Sequence, residues 1–287
     1  MSRVDVRKTH KLFIGGAFPR SESGRTYEVT DSKEQFLANM ALASRKDARD
    51  AVLAARSAVA KWSAATAYNR GQVLYRIAEV MEGRREQFIS EVSDSEGVSS
   101  RKAGAHVDAA IDRWVWYAGW ADKYAQVIGN TNPVAGPFFN FSVPEPTGVV
   151  AAVAPQDASI SGLVSVVAPI IVTGNAVIAM PSSSRPIPAI TLAECLATSD
   201  VPAGVVNILT GAPAEVMPWL AEHADVNALD LTGIVDEAVA ADLERSAAGT
   251  VKRVRGAAPH ADWQATPSLS RMRAFVEVKT VWHPMGV

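Results

Sequence analysis

The chain has 287 residues, 48% of them hydrophobic, with 28 Lys and Arg against 30 Asp and Glu. That length buries a sizeable core, and the composition is that of an ordinary globular protein. A net charge of −2 gives no electrostatic case for nucleic acid or an anionic membrane as partner, and the one cysteine, Cys195, excludes an internal disulfide framework and fits a reducing cytoplasm.

Met1 to Lys11 is polar and mixed in charge, without the apolar stretch of a signal peptide. Phe13 to Phe18, bent at Gly15-Gly16, and Ser23 to Tyr27 predict an antiparallel strand pair. A helix is expected from Arg45 to Trp62, where Ala48, Val52, Ala55, Val59 and Trp62 share one face. A second is expected from Asn69 to Phe88, and a third from Asp108 to Tyr124. The aromatic cluster Trp114, Trp116, Tyr117, Trp120 and Tyr124 reads as a helix wedged between layers, since no basic residues accompany it to form a base-stacking platform. Phe138 to Val143 is an alternating aromatic strand.

From Gly148 the pattern turns to strands alternating with helices. Strands are expected at Val149 to Ala154, Ala176 to Met180, Val205 to Leu209, Ala228 to Leu231 and Val251 to Val254. Helices are expected at Ser161 to Val172, Pro188 to Thr198, Ala214 to His223 and Asp236 to Ala247. Strands apolar on both faces with helical crossovers predict an α/β protein with a doubly wound parallel sheet. The apolar run Leu163 to Val172 is too short to span a bilayer. Gly256 to Arg273 has no clear period and carries Pro259 and Pro267, and a last strand runs from Phe275 to Trp282.

Several ordered motifs then point to one family. They are Phe13-Ile14-Gly15-Gly16, Glu145-Pro146-Thr147-Gly148-Val149-Val150, and Gly174-Asn175 followed by Met180-Pro181-Ser182. Pro202-Ala203-Gly204-Val205-Val206-Asn207, Leu231-Thr232-Gly233 and Glu277-Val278-Lys279-Thr280-Val281-Trp282 continue the series. Together they resemble the aldehyde dehydrogenase superfamily. The resemblance implies a Rossmann-like cofactor-type domain over 1–136 and 148–255, with a small antiparallel oligomerisation arm over 137–147 and 275–287. It also implies a catalytic domain between them, bearing a nucleophilic Cys and a Glu base. Here only 256–274 stands in that place, and it is read as a linker, too short for the roughly thirty residues of even one strand-helix-strand unit. The Glu-Leu-Gly-Gly-Lys motif is absent, and its nearest remnant, Arg255-Gly256-Ala257-Ala258, holds no carboxylate.

The same comparison implies a degenerate site with no catalytic residue. Pro155-Gln156-Asp157 stands where the family has Pro-Trp-Asn, so Asp157 takes the place of the oxyanion-holding Asn, and an ionised carboxylate only accepts hydrogen bonds. Met180 and Ser183 replace the Lys and Glu that contact the adenosine ribose, Ile234 replaces the Ser facing the pyrophosphate, and Ala238 stands for Gly. Pro155, Gln156, Met180, Ser182, Ser183, Gly233 and Ile234 are therefore read as a vestigial groove. No cofactor is expected, with NAD or NADP the occupant if the groove still functions.

Cys195, in mid-helix, reads as a small packed residue whose thiol Glu194 raises further. His10, His106, His223, His260 and His283 lack metal-ligand spacing. Arg84-Arg85 and Lys252-Arg253 with Arg255 read as solvated surface. Phe139, Phe141, Val143, Val276, Val278, Thr280 and Trp282 are the expected interface. The leading expectation is a pseudoenzyme subunit pairing through its terminal strand with a full-length aldehyde dehydrogenase, or with itself. Its rival is an NAD(P)-dependent oxidoreductase of aldehydes, active only within a hetero-oligomeric complex. A decayed fragment without a role is the third reading.

Overall fold

A computed structural model describes residues 7–259 and 261–286, and expectations that fall on residues 1–6, His260 and Val287 lie outside the described residues. Strands β1 (Thr9–His10), β2 (Thr26–Thr30) and β3 (Phe36–Ala41) form a small sheet in the order β1-β3-β2. The first expected strand pair is thereby corrected, because Tyr27 pairs with Met40 and not with the Phe13 segment. Phe13 bridges instead to Ile208 of the main sheet, and Gly15 and Gly16, at φ of 59° and 77°, make the reversal between Ile14 and Ala17. Side chains beyond glycine rarely adopt that backbone, so the double glycine is what permits the turn.

Helix α1 (Arg45–Ala64) opens with a capping box: Ser44 Oγ accepts from the Lys46 and Asp47 amides while the Asp47 carboxylate accepts from Ser44 N. Its buried stripe includes the predicted Ala48, Val52, Ala55 and Trp62. The helix expected from Asn69 to Phe88 is two helices. Helix α2 (Ala67–Gly83) stops at its glycine, the most entropically unfavourable residue to hold helical, and α3 (Arg85–Glu96) begins after the turn at Arg84. Helix α4 (Ser100–Trp120) starts well before the expected Asp108 because Ser99 caps it, accepting from Lys102 N. Trp114 and Tyr117 are buried on its inner side, while Trp116 and Trp120 stack on each other along the half-exposed flank. Helix α5 (Tyr124–Ile128) leads into β4 (Asn130–Asn132) and β5 (Phe138–Pro146).

The remaining core elements alternate as expected. They are β6 (Val149–Val153), α6 (Ser161–Val172), β7 (Ala176–Met180), α7 (Ile187–Ala197), β8 (Val206–Ile208), α8 (Pro213–Glu222), β9 (Ala228–Asp230), α9 (Glu237–Ala248) and β10 (Arg253–Arg255). The five strands are parallel, in the order β10-β9-β6-β7-β8. Every residue of β6 and β7 is buried, the signature of a sheet covered on both faces. Along β6, Val150 and Ala152 join the core layer built with α2, α3, α4, α6 and α7, while Val149, Ala151 and Val153 join the layer built with α1, α8 and α9. Each fully buried valine contributes on the order of 1.5–3 kcal/mol.

The chain ends with α10 (Ser270–Ala274) and β11 (Val276–Pro284). β11 pairs antiparallel with β5 from Val276↔Pro146 to Pro284↔Phe138. The arm is a three-stranded sheet in the order β11-β5-β4, one strand more than a two-stranded ribbon, and Asn132 ties β4 in by donating to Asn140 Oδ1 and Ser142 Oγ. Directly opposed residues of an antiparallel pair share a face. The register therefore puts Phe139, Phe141 and Val143 with His283, Val281 and Lys279, and puts Val278, Thr280 and Trp282 on the other face with Pro144, Ser142 and Asn140. The residues expected as one interface are split between two faces, and Val276 is buried in the core.

Candidate functional site

Three strand ends meet where the groove was expected. Ala154, Pro155 and Gln156 follow β6, Pro181, Ser182 and Ser183 follow β7, and Leu231 to Ile234 follow β9. Gly233 donates its N–H to Val153 O at 2.9 Å, and a Cβ on it would lie 1.9 Å from Ala154 O, so no other residue fits between these two ends. Gln156 knits the first two together. Its amide Nε2 donates to Ala154 O at 2.8 Å, and its Oε1 accepts from Ser183 N at 3.0 Å and Ser183 Oγ at 3.2 Å. Ser182 Oγ donates to the Gln156 carbonyl at 2.8 Å. Met180 is fully buried among the apolar residues beneath, and Ile234 packs into the same layer. At the N-terminus of α9, Asp236 Oδ1 accepts from the amides of Ala238 and Val239, so this helix end is capped by its own chain.

Asp157 lies exposed beside these residues, and its carbonyl accepts from Arg185 Nη1 at 2.8 Å. Cys195 is buried in the last turn of α7, nearer the helix end than the mid-helix place expected for it. Burial is the main force that pushes its thiol up to about 11. The Arg84 guanidinium, 4.0 Å from Sγ, works the other way, and Glu194 adds to the rise. Arg84 is half-buried rather than solvated, with Nη2 2.6 Å from Glu194. Among the described residues no group of three or more His, Cys, Asp and Glu is placed to hold a metal ion. His106 instead binds Glu96, whose other oxygen accepts from Ser159 N and Oγ.

The 256–274 stretch, expected as a linker, is a packed strap. Trp263, Met272 and Phe275 are buried, and α10 packs on α6 and β10. Two arginines hold it, one buried and one half-buried. Arg113 reaches from α4 and donates to the carbonyls of Trp263 and Ala265. Arg271 pairs with Asp230 at 3.3 Å, shares Thr232 Oγ1, and lies over the Trp263 ring at 5.1 Å. Arg255 is correspondingly not solvated surface, since its Nε is sealed from water. Sequence reasoning missed this assembly. The only signal was a Trp and a Met in a stretch without periodicity.

A family model for the aldehyde dehydrogenase family matches residues 18–256, most of the chain. The chain belongs to the aldehyde dehydrogenase family. Among its relatives, the human cytosolic 10-formyltetrahydrofolate dehydrogenase is 32% identical over 241 residues, covering 81% of the chain and 26% of that protein. The putative aldehyde dehydrogenase DhaS of Bacillus subtilis is 29% identical over 253 residues, covering 87% of the chain and 50% of that protein. Of solved structures, the NAD+ complex of aldehyde dehydrogenase from Bacillus cereus superposes with a TM-score of 0.81 at 27% identity, over 86% of this chain and 50% of that one. The chain thus spans half or less of the length of these relatives, and the shared half is the α/β part with the five-stranded parallel sheet and the small antiparallel sheet. No helix among the described residues is long and apolar enough to cross a membrane.

Proposed function

We propose that this chain is a non-catalytic aldehyde dehydrogenase, a pseudoenzyme subunit that assembles through its arm with a full-length member of the family. The observation that carries the reading is internal to the chain. β10 is followed by the strap and then at once by β11, so the segment in which the resemblance places thiol and base is missing between two elements that are both present. Thioester chemistry needs a thiolate that reaches the aldehyde carbon. Cys195 is buried and held as a thiol, and Asp157 brings a carboxylate where an oxyanion needs a donor.

The groove does not fit a dinucleotide either. Asp236 takes up the α9 amides that a pyrophosphate would use, and with Glu237 it places two carboxylates at that helix end. Met180 supplies no ammonium, and the Gln156 amide bonds to its own chain through both Nε2 and Oε1. The exposed arm supports the pairing. β11 is an edge strand, with Phe139 exposed on one face and Val278 and Trp282 exposed on the other. A catalytic domain on another chain is a fitting cover.

Co-expression with a full-length aldehyde dehydrogenase tests this, with the mass of the tagged species measured by light scattering. A heteromer that Phe139→Asp breaks supports the reading, and two separate species end it. Incubated alone with NAD+ and an aldehyde, the chain should form no NADH. NADH formed by the heteromer in excess of what the full-length partner forms alone would favour the oxidoreductase reading instead.

A further inference from the structure

β11 is the end strand of the arm, and no other strand among the described residues pairs with its outer side. Its register with β5 fixes which backbone groups face outward. Met285 N donates to Pro137 O, and Thr147 N donates to Phe275 O, so the odd-numbered residues of the strand exchange bonds with β5. Pro144 and Pro146, which have no N–H to give, accordingly stand opposite Val278 and Val276. The N–H and C=O groups of Val278, Thr280 and Trp282 therefore point away from β5, and all three residues are exposed. An open edge that carries apolar side chains is a template for another strand.

We propose that this edge pairs with the same edge of a second copy of the chain, antiparallel about a two-fold axis at Thr280. Outward groups meet outward groups only when even-numbered residues oppose even-numbered ones, and this axis satisfies that condition. It sets Thr280 against Thr280 and Val278 against Trp282 on both sides of the axis, so two side chains that are each 57% exposed cover one another. It also sets Glu277 against His283, a carboxylate against an imidazole that can donate to it. The Glu277 side chain remains 61% exposed beside Arg253, 3.6 Å away, and is open to that second partner. An axis one residue earlier opposes Lys279 to Lys279. One residue later, Lys279 meets His283, and Val278 meets Pro284, which has no N–H. The arms then merge into one sheet in the order β4-β5-β11-β11-β5-β4. The two copies of Val276, where each strand enters its own core, stand about 27 Å apart along the strands, at about 3.4 Å per residue. The Phe139 face stays open to the full-length member proposed above, so the inference stands apart from that reading.

The test is sedimentation equilibrium of the full chain alone, from micromolar to millimolar concentration. The contact is small, so association is reversible, and the mass should rise with concentration from one chain to two. Thr280→Pro removes an outward N–H that β5 does not use, and edge strands tolerate proline there. Val278→Asp puts a charge against Trp282 of the second copy. Each change counts twice per dimer and should weaken association about tenfold or more, with urea unfolding showing that each variant is folded. Phe139→Asp, on a β5 face and away from the edge, should leave the dimer intact. A single-chain mass throughout overturns the proposal, as does a doubled mass that survives either edge variant in folded form. No full-length enzyme is present in this experiment, so its failure leaves the heteromer to its own test.

Discussion

The surroundings of Cys195 decide what its sulfur can do. Its burial within a helix was legible from the sequence, though it lies in the last turn of α7 and not in mid-helix, and so was the sense of Glu194's effect. The Arg84 guanidinium that opposes it comes from another helix and was not. With the thiol pushed up to about 11, the folded chain should resist iodoacetamide at pH 8 and react promptly once unfolded in urea. Rapid labelling of the native chain, followed by mass spectrometry, would contradict the burial. His10 behaves differently. Burial first and Lys8 second lower it from 6.5 to about 4, with Glu194 pulling the other way. As pH falls the unfolded chain takes up this proton first, so the stabilising contribution is complete above pH 6.5 and drains away as pH falls toward 4. Urea midpoints should therefore drop between pH 7 and pH 4.5, and drop less in His10→Gln; equal losses would show that other groups set the acid limit.

The elements differ in how far they could be read in advance. α6 and β7 were legible to the residue because each is a largely apolar run closed by Gly174-Asn175 or Pro181. β3 was not, since Phe36–Ala41 shows no alternation and its order comes from pairing with β1 and β2. The strap was illegible for a related reason, as its anchors Arg113 and Asp230 lie far away in sequence. Those anchors give a sharp expectation. Arg271→Met leaves Asp230 buried with only the Thr232 donors, and should lower the urea-unfolding free energy by about 3 kcal/mol. A loss below about 1 kcal/mol would mean the strap is held by Trp263 and Met272 alone. In the arm, the register separates effects that the sequence merged. Phe139→Asp and Trp282→Ala alter opposite faces, and light scattering on each variant identifies which face a partner covers.

At the scale of the molecule, the two core layers place different features on different sides of one sheet. Ile234, Met180 and the capped end of α9 line the α1 side, while the strap lies on the α4 side. Saturating NAD+ at a hundred times its dissociation constant would add about 2.7 kcal/mol to a protein that binds it. We expect millimolar NAD+ to leave the thermal midpoint unchanged, and a rise of several degrees would restore the groove to function. The strap has a further consequence for how the chain is made. Arg113 and its acceptor Trp263 O are 150 residues apart, a distance a ribosome covers in roughly 8–30 s at about 5–20 residues per second. For that interval the inner side of α4 waits without its last partner, and the Asp230 carboxylate waits for Arg271, 41 residues further on. A nascent chain halted before Trp263 therefore displays an open aromatic and charged seam, the kind of surface that chaperones bind and proteases enter.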